Sequence, residues 1–165
     1  MYIIIVLKEF GGIIVKKISP QWNVIYAKNG LPCPYCGKID DPFLEQICDA
    51  QTDGIKKFKN HLEFQVVLEA SPDVVGSVLN ELGYMVQSGK RFKSGDLVDG
   101  ILLDSPLRLL EMDSINGDRV LRVIAPDPNK KWPEDPDCKY PHNMQNFHMA
   151  LLLNPNRHDC SDGEE

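Results

Sequence analysis

Two thiols set two residues apart are the sharpest chemical feature of this chain: Cys33-Pro34-Tyr35-Cys36-Gly37-Lys38 has the form of a zinc knuckle. Thiolates at that spacing converge on one ion, and the following glycine lets backbone amides turn toward the sulfurs. A closed structural site takes four ligands, and the chain contains no second Cys-x-x-Cys. Cys138 and His142, spaced Cys-x-x-x-His, are expected to complete a structural zinc site, with Cys48 and His61 as the second choice. Two ordinary reduced thiols in a turn are the plainer alternative. A thioredoxin-like redox pair fits less well, because the motif does not open a helix after the strand of a βαβ unit.

Acid–base chemistry has one candidate pair. His61 and Glu63 stand two residues apart at the start of an apolar run, and on a strand that spacing points both side chains to one face. A carboxylate beside an imidazole makes a general base or half of a metal site. A hydrogen bond that anchors the strand's beginning explains the same pair and is the favoured reading. Cations gather twice, at Lys56, Lys57 and Lys59 and again at Lys90, Arg91 and Lys93. Either group suits an acidic partner or a phosphate, although a solvated face is the commoner use of such runs. Trp132, set among prolines and acids, is a contact candidate or a lock for its own loop. No P-loop, dinucleotide fingerprint, Gly-x-Ser-x-Gly elbow or His-Glu-x-x-His occurs, which removes the enzyme classes they mark.

These residues need a scaffold, and composition says which kind. The 165 residues are 42% hydrophobic and 25% charged, an average globular mixture that excludes a collagen, a coiled coil or extended disorder as the main architecture. Eighteen basic residues against twenty-four acidic ones give a net charge of −6. No global positive field exists, so general binding to nucleic acid or anionic lipid is not expected. The longest apolar run, Tyr2 to Leu7, falls far short of the roughly twenty residues of a membrane span. Five cysteines, an odd number, with no export signal ahead of them point to the cytoplasm.

Patterning supplies the elements. Residues 2–7 and 12–18 are β-branched runs that predict a hairpin, and 22–27 alternates as a half-buried strand does. Breakers crowd 28–42, which predicts a structured loop around the cysteine pair. A strand is expected over 63–70. Ser71-Pro72-Asp73 then supplies a cap, a first-turn proline and a dipole-matched acid for a helix over about 72–82, with Gly83 as its C-terminal cap. Strands over 99–103, 106–112 and 119–125, the last two joined at Asn116-Gly117, predict an antiparallel meander. Five prolines between 126 and 142 predict a long ordered loop, and 144–153 a last helix or strand. The expected fold is therefore α+β: a single domain over 1–153 with a twisted, mainly antiparallel sheet, one principal packed helix and long ordered loops. An acidic, mobile tail is expected over 154–165, where four acids face one arginine from 157 onward.

From Thr52 to Pro136 the chain resembles a family of small, mostly bacterial proteins known as domain of unknown function four-two-six-two. Thr52-Asp53-Gly54-Ile55 and His61-Leu62-Glu63-Phe64-Gln65-Val66-Val67 look like the family's Thr-x-Gly-Ile/Leu and His-Pro-Glu-Leu elements, with Leu62 in place of the proline. Val78-Leu79-Asn80-Glu81-Leu82-Gly83, Gly89-Lys90-Arg91-Phe92, Gly95-Asp96-Leu97-Val98-Asp99-Gly100, Pro106-Leu107-Arg108-Leu109, Ala125-Pro126-Asp127 and Trp132-Pro133 follow in the family's order. Members carry a tyrosine where this chain has Gln51, and the Cys33–Cys36 segment is an addition. The resemblance implies a compact α+β fold and a bacterial or phage origin, and it brings no activity.

The reading that fits these residues best is a small cytosolic protein-binding factor, an immunity, inhibitor or anti-defence protein that acts by direct contact with a protein partner through Trp132, Lys90, Arg91 and Lys93. Proline-stiffened loops suit that role, since they lose less entropy on binding. The rival is a metal-dependent, hydrolase-like enzyme that uses His61 and Glu63.

Overall fold

The computed structural model describes residues 3–9, 12–18, 20–28, 47–114 and 117–146. Its elements in order are strands β1 (Ile3–Glu9), β2 (Gly12–Ile18), β3 (Asn23–Lys28) and β4 (Cys48–Asp53), helix α1 (Ile55–Lys59), strand β5 (Glu63–Leu68), helix α2 (Pro72–Gln87), and strands β6 (Leu97–Val98), β7 (Leu107–Asp113) and β8 (Arg119–Ile124). A single 3-10 turn, His142–Met144, follows. The expected 28–42 loop beyond Lys28, the stretch 147–153 and the 154–165 tail lie outside the described residues.

β1 and β2 pair antiparallel as a hairpin of their own, and the other strands form one sheet in the order β3-β4-β5-β8-β7-β6. All neighbours in that sheet are antiparallel except β5 and β8, which run parallel. The antiparallel unit β6-β7-β8 is thus joined to the first half of the chain through a parallel seam. α2 supplies the crossover, because parallel neighbours cannot be linked by a tight turn. The fold is α+β, with one main helix and one short one on a mixed sheet.

One face of the sheet packs on α2. Cys48, Ala50, Phe64, Val66, Leu107, Leu109, Leu121 and Val123 meet Val75, Leu79, Leu82 and Val86 from the helix, with Ile55 and Trp22 closing the end. α2 begins as the sequence predicts: Ser71 Oγ accepts from Val74 N at 3.4 Å, and Pro72 takes the first helical position, where a missing N–H costs nothing. It ends later. The helix runs through Gly83 to Gln87, so Gly83 is not a cap but a point of close approach. A Cβ there would lie 2.3 Å from Trp22 Cζ2. The indole is buried against the helix, donates from Nε1 to Asn80 Oδ1 at 3.1 Å and meets the Tyr84 ring edge-on at 5.1 Å.

The opposite face is covered by the irregular segment 125–146, whose Gln145 reaches the sheet. β5 is consequently buried on both sides from Glu63 to Val67, as a central strand covered on two faces must be. Two further expectations are corrected. The strand expected over 99–103 is absent, and residues 100–105 form bends: Ile101 and Leu102 pack on the core while Leu103 stands 101% exposed, and the edge strand is the shorter β6 before them. β4 and α1 were not foreseen from the sequence; they occupy the segment between the cysteine-rich loop and β5.

Candidate functional site

The end of the sheet where β4 stops and β5 starts is built around one carboxylate. Glu63 accepts from Thr52 Oγ1 at 2.6 Å, from Gly54 N at 3.0 Å and from Lys56 N at 2.8 Å, while Thr52 Oγ1 in turn accepts from Phe64 N at 2.9 Å. Glu63 therefore neutralises the open amides at the start of α1, a task for which α1 has no side-chain cap of its own. Gly54 between them has φ 122°, and a Cβ would press on Gln21 O at 3.0 Å, so the turn into α1 needs glycine.

His61 works elsewhere. It precedes β5, so strand alternation does not govern its direction. Its Nδ1 lies 2.7 Å from Leu62 O, and its Nε2 accepts from Phe92 N at 3.1 Å. Those partners assign the proton to Nδ1 and leave Nε2 as the acceptor. The ring also packs between Phe64 and Phe92, with centroids 5.1 and 6.0 Å away. Burial first, and then the charge of Arg91, pushes its pKa below the ordinary 6.5. The side chains of His61 and Glu63 are thus committed to separate partners, and three of Glu63's acceptor positions are already filled, one by the Thr52 hydroxyl and two by backbone amides.

A cleft of about 310 Å³ opens at the same end of the sheet, lined among others by Asp53, Lys56, Lys57, Glu63, Asp118 and Arg119. Arg119 is held by Glu111 at 2.8 Å and Asp113 at 3.4 Å. Beside it, the fold joins the two cationic runs. Arg91 Nη2 donates to Lys59 O at 3.1 Å, and the Phe92–His61 hydrogen bond ties the following residue to the same turn. Lys56, Lys57, Lys90, Arg91 and Lys93 are exposed and Lys59 is half-buried, its Nζ 4.8 Å from the Phe58 ring centroid.

Trp132 belongs to the segment covering the second face. Its ring lies under the Arg108 guanidinium, 4.4 Å from ring centroid to Cζ, and Arg108 makes a bidentate pair with Glu134 at 2.5 and 2.6 Å. The hydrogen bond from Arg108 holds the Glu134 carboxyl down at about 2. Asp127 fixes the next turn: Oδ1 accepts from Asn129 N at 2.8 Å and Lys131 N at 2.9 Å, Oδ2 takes Lys139 N at 3.5 Å, and these bonds lower its pKa. Gln145 closes the segment, accepting from Ala125 N and donating to Ala125 O and His142 O. Trp132 is accordingly a lock of its loop as well as part of its surface.

Cys138 is buried in that segment, with Sγ 3.6 Å from Lys131 O and 4.0 Å from Lys139 O, and burial raises its thiol pKa. His142 starts the 3-10 turn, its pKa lowered by burial. Cys48, the other thiol considered, is a buried donor to Leu68 O at 2.9 Å. Among the described residues no group of three or more His, Cys, Asp or Glu side chains could hold a metal ion; Cys33 and Cys36 lie outside them.

One polar constellation was missed by sequence reasoning. Arg122, in the middle of the apolar run of β8, is fully buried and donates from Nε to Gln65 Oε1 at 2.9 Å and from Nη1 to Gln145 O at 2.9 Å. Gln65 Nε2 passes the chain on to Asp49 Oδ1 at 2.8 Å. Burial lowers the Arg122 pKa to about 10, and burial likewise raises that of Asp49. The signal was available: an arginine inside Val-Leu-Arg-Val-Ile must either break the strand or find buried partners.

No family model, no curated protein and no solved structure matches the chain, and the resemblance over 52–136 rests on its motifs alone. No helix among the described residues is long and apolar enough to cross a membrane.

Proposed function

We propose that this chain is a small cytosolic binding protein of the immunity, inhibitor or anti-defence kind, which acts by direct contact with another protein. The observation that carries the reading is the segment 126–145. Asp127, the Arg108–Glu134 clamp over Trp132 and Gln145 hold its backbone, which has no regular structure beyond the 3-10 turn His142–Met144, while Lys130, Lys131, Asp137 and Tyr140 stay exposed. A surface already ordered before encounter loses little conformational entropy on binding, and an exposed tyrosine and a half-buried tryptophan in one segment are the side-chain chemistry of interface hot spots. The commitment of His61 and Glu63 to separate hydrogen-bond partners supports the same reading over the rival that needs them as an acid–base pair.

The test is capture on immobilised chain from cells of the source organism, run in parallel for the wild type, Trp132→Ala and Tyr140→Ala. The reading expects one protein retained by the wild type and lost from both folded variants. Equal retention by all three would overturn it.

A further inference from the structure

We infer that Lys56, Lys57, Lys59, Lys90, Arg91 and Lys93 form one anion-recognition edge that grips a short acidic stretch, rich in Asp and Glu, of a protein partner. This rests on the protein-binding reading above and adds the partner's chemistry and a second contact surface. The two runs are about thirty residues apart in sequence, and the fold brings them together with two hydrogen bonds, Arg91 Nη2 to Lys59 O and Phe92 N to His61 Nε2. The other described arginines behave differently. Arg108 and Arg119 carry ion pairs and Arg122 is buried, whereas none of the six cations of this edge forms an ion pair with a described carboxylate. Two acids reach the backbone of this edge, and both are spent there: Glu63 Oε1 accepts from Lys56 N at 2.8 Å and Asp96 Oδ2 from Lys93 N at 2.9 Å.

Concentrating six cations in a protein of net charge −6 costs Coulombic repulsion that no ion pair among the described residues relieves, although Asp53, Glu63 and Asp118 share a cleft with Lys56 and Lys57. An external anion relieves it. Screening sets its size: at physiological ionic strength the field of remote charges fades within about 8 Å, so a short segment feels the edge rather than the acidic whole. A long polyanion would extend over the acidic remainder and be repelled there. Nucleic acid also finds no bare platform in the two rings of this edge, since Phe92 packs on His61 and Phe64, and Phe58 lies beneath Lys59. Five of the six cations are lysines, point charges on flexible stems that suit dispersed carboxylates better than one fixed phosphate.

The experiment titrates the full chain into a fluorescein-labelled octaglutamate peptide and reads anisotropy in 50 mM NaCl. The expected results are saturable binding, a loss of about tenfold in affinity for Lys56→Gln/Lys57→Gln/Lys59→Gln, and a clear loss for Lys90→Gln/Lys93→Gln, which keeps the Arg91 tie. Arg119→Gln, whose charge is already matched by Glu111 and Asp113, should change affinity by less than about twofold. Affinities within twofold of wild type for both lysine variants, or an equal loss for Arg119→Gln, overturn the edge. Tighter binding of a single-stranded octanucleotide than of the peptide overturns the choice of partner. The two readings fail separately. Octaglutamate that does not bind sinks the edge and leaves loop-dependent capture standing, whereas octaglutamate binding without loop-dependent capture supports the edge and sinks the loop reading.

Discussion

Two glycines in α2 offer the same substitution with opposite expected signs. Gly76 has nothing within 4 Å of the position a Cβ would take, whereas a Cβ on Gly83 would sit 2.3 Å from Trp22 Cζ2 and 2.5 Å from Cε2. Glycine inside a helix costs about 0.5–1 kcal/mol relative to alanine, so Gly76→Ala should stabilise by about that amount. Gly83→Ala gains the same propensity but must move a buried ring by about 1 Å to reach ordinary carbon contact near 3.5 Å. That retreat strains the Trp22–Asn80 hydrogen bond and the edge-on Tyr84 contact, and overpacking of this kind costs about 1–3 kcal/mol. The net expectation is destabilisation by up to about 2 kcal/mol, read as a lower midpoint in urea with an unchanged slope. The two variants should therefore differ by the overpacking cost, about 2–12 °C in Tm at this chain length. A Gly83→Ala protein as stable as Gly76→Ala would refute the packing of Trp22 on α2.

Three further outcomes follow from the same reasoning. Arg122→Met removes the donor to Gln65 and Gln145 and should cost about 3–5 kcal/mol in urea unfolding, while Arg119→Met, exposed and surface-paired, should cost less than about 1. Because the folded-state pKa of His61 lies below the ordinary 6.5, its neutral form contributes stability that is present above about pH 6.5 and lost as pH falls through the depressed value. His61→Gln should flatten the urea midpoint between pH 6.5 and 5, and a profile parallel to wild type would exclude this linkage. The structural zinc reading predicts about one equivalent of metal per purified chain, released by Cys33→Ser/Cys36→Ser with a drop in Tm; metal-free protein of unchanged Tm discards it.

Local signals were legible and long-range ones were not. Ser71-Pro72-Asp73 specifies a helix start because capping is settled within four residues, and the short Val- and Ile-containing run of Arg119 to Ala125 after Asn116-Gly117 specifies β8 by an equally local signal. Gly83 misled because a glycine near a helix end serves equally as a cap or as a gap for a neighbour, and the neighbour, Trp22, lies sixty-one residues away. β4 was missed because its inward residues are Cys48, Ala50 and Thr52, too small or polar to raise the hydrophobic signal although they alternate correctly. Leu102 and Leu103 suggested a strand, but partial burial and full exposure in successive residues came from bends rather than from a pleat. At the site, each cationic run was visible in the sequence, and their union through Arg91 and Lys59 was not, since that contact is set by where α2 ends.

The claim that this protein works by binding through a preformed surface is tested most directly by the dissociation constant of the captured partner, measured with purified wild type, Trp132→Ala and His61→Gln. A loss of at least about tenfold for Trp132→Ala, with His61→Gln within about twofold of wild type, is the result expected of a loop held ready by the Arg108 clamp. Partner binding unchanged in Trp132→Ala, together with a biological activity that disappears only in folded His61→Gln, would contradict it and turn the assignment toward an enzyme.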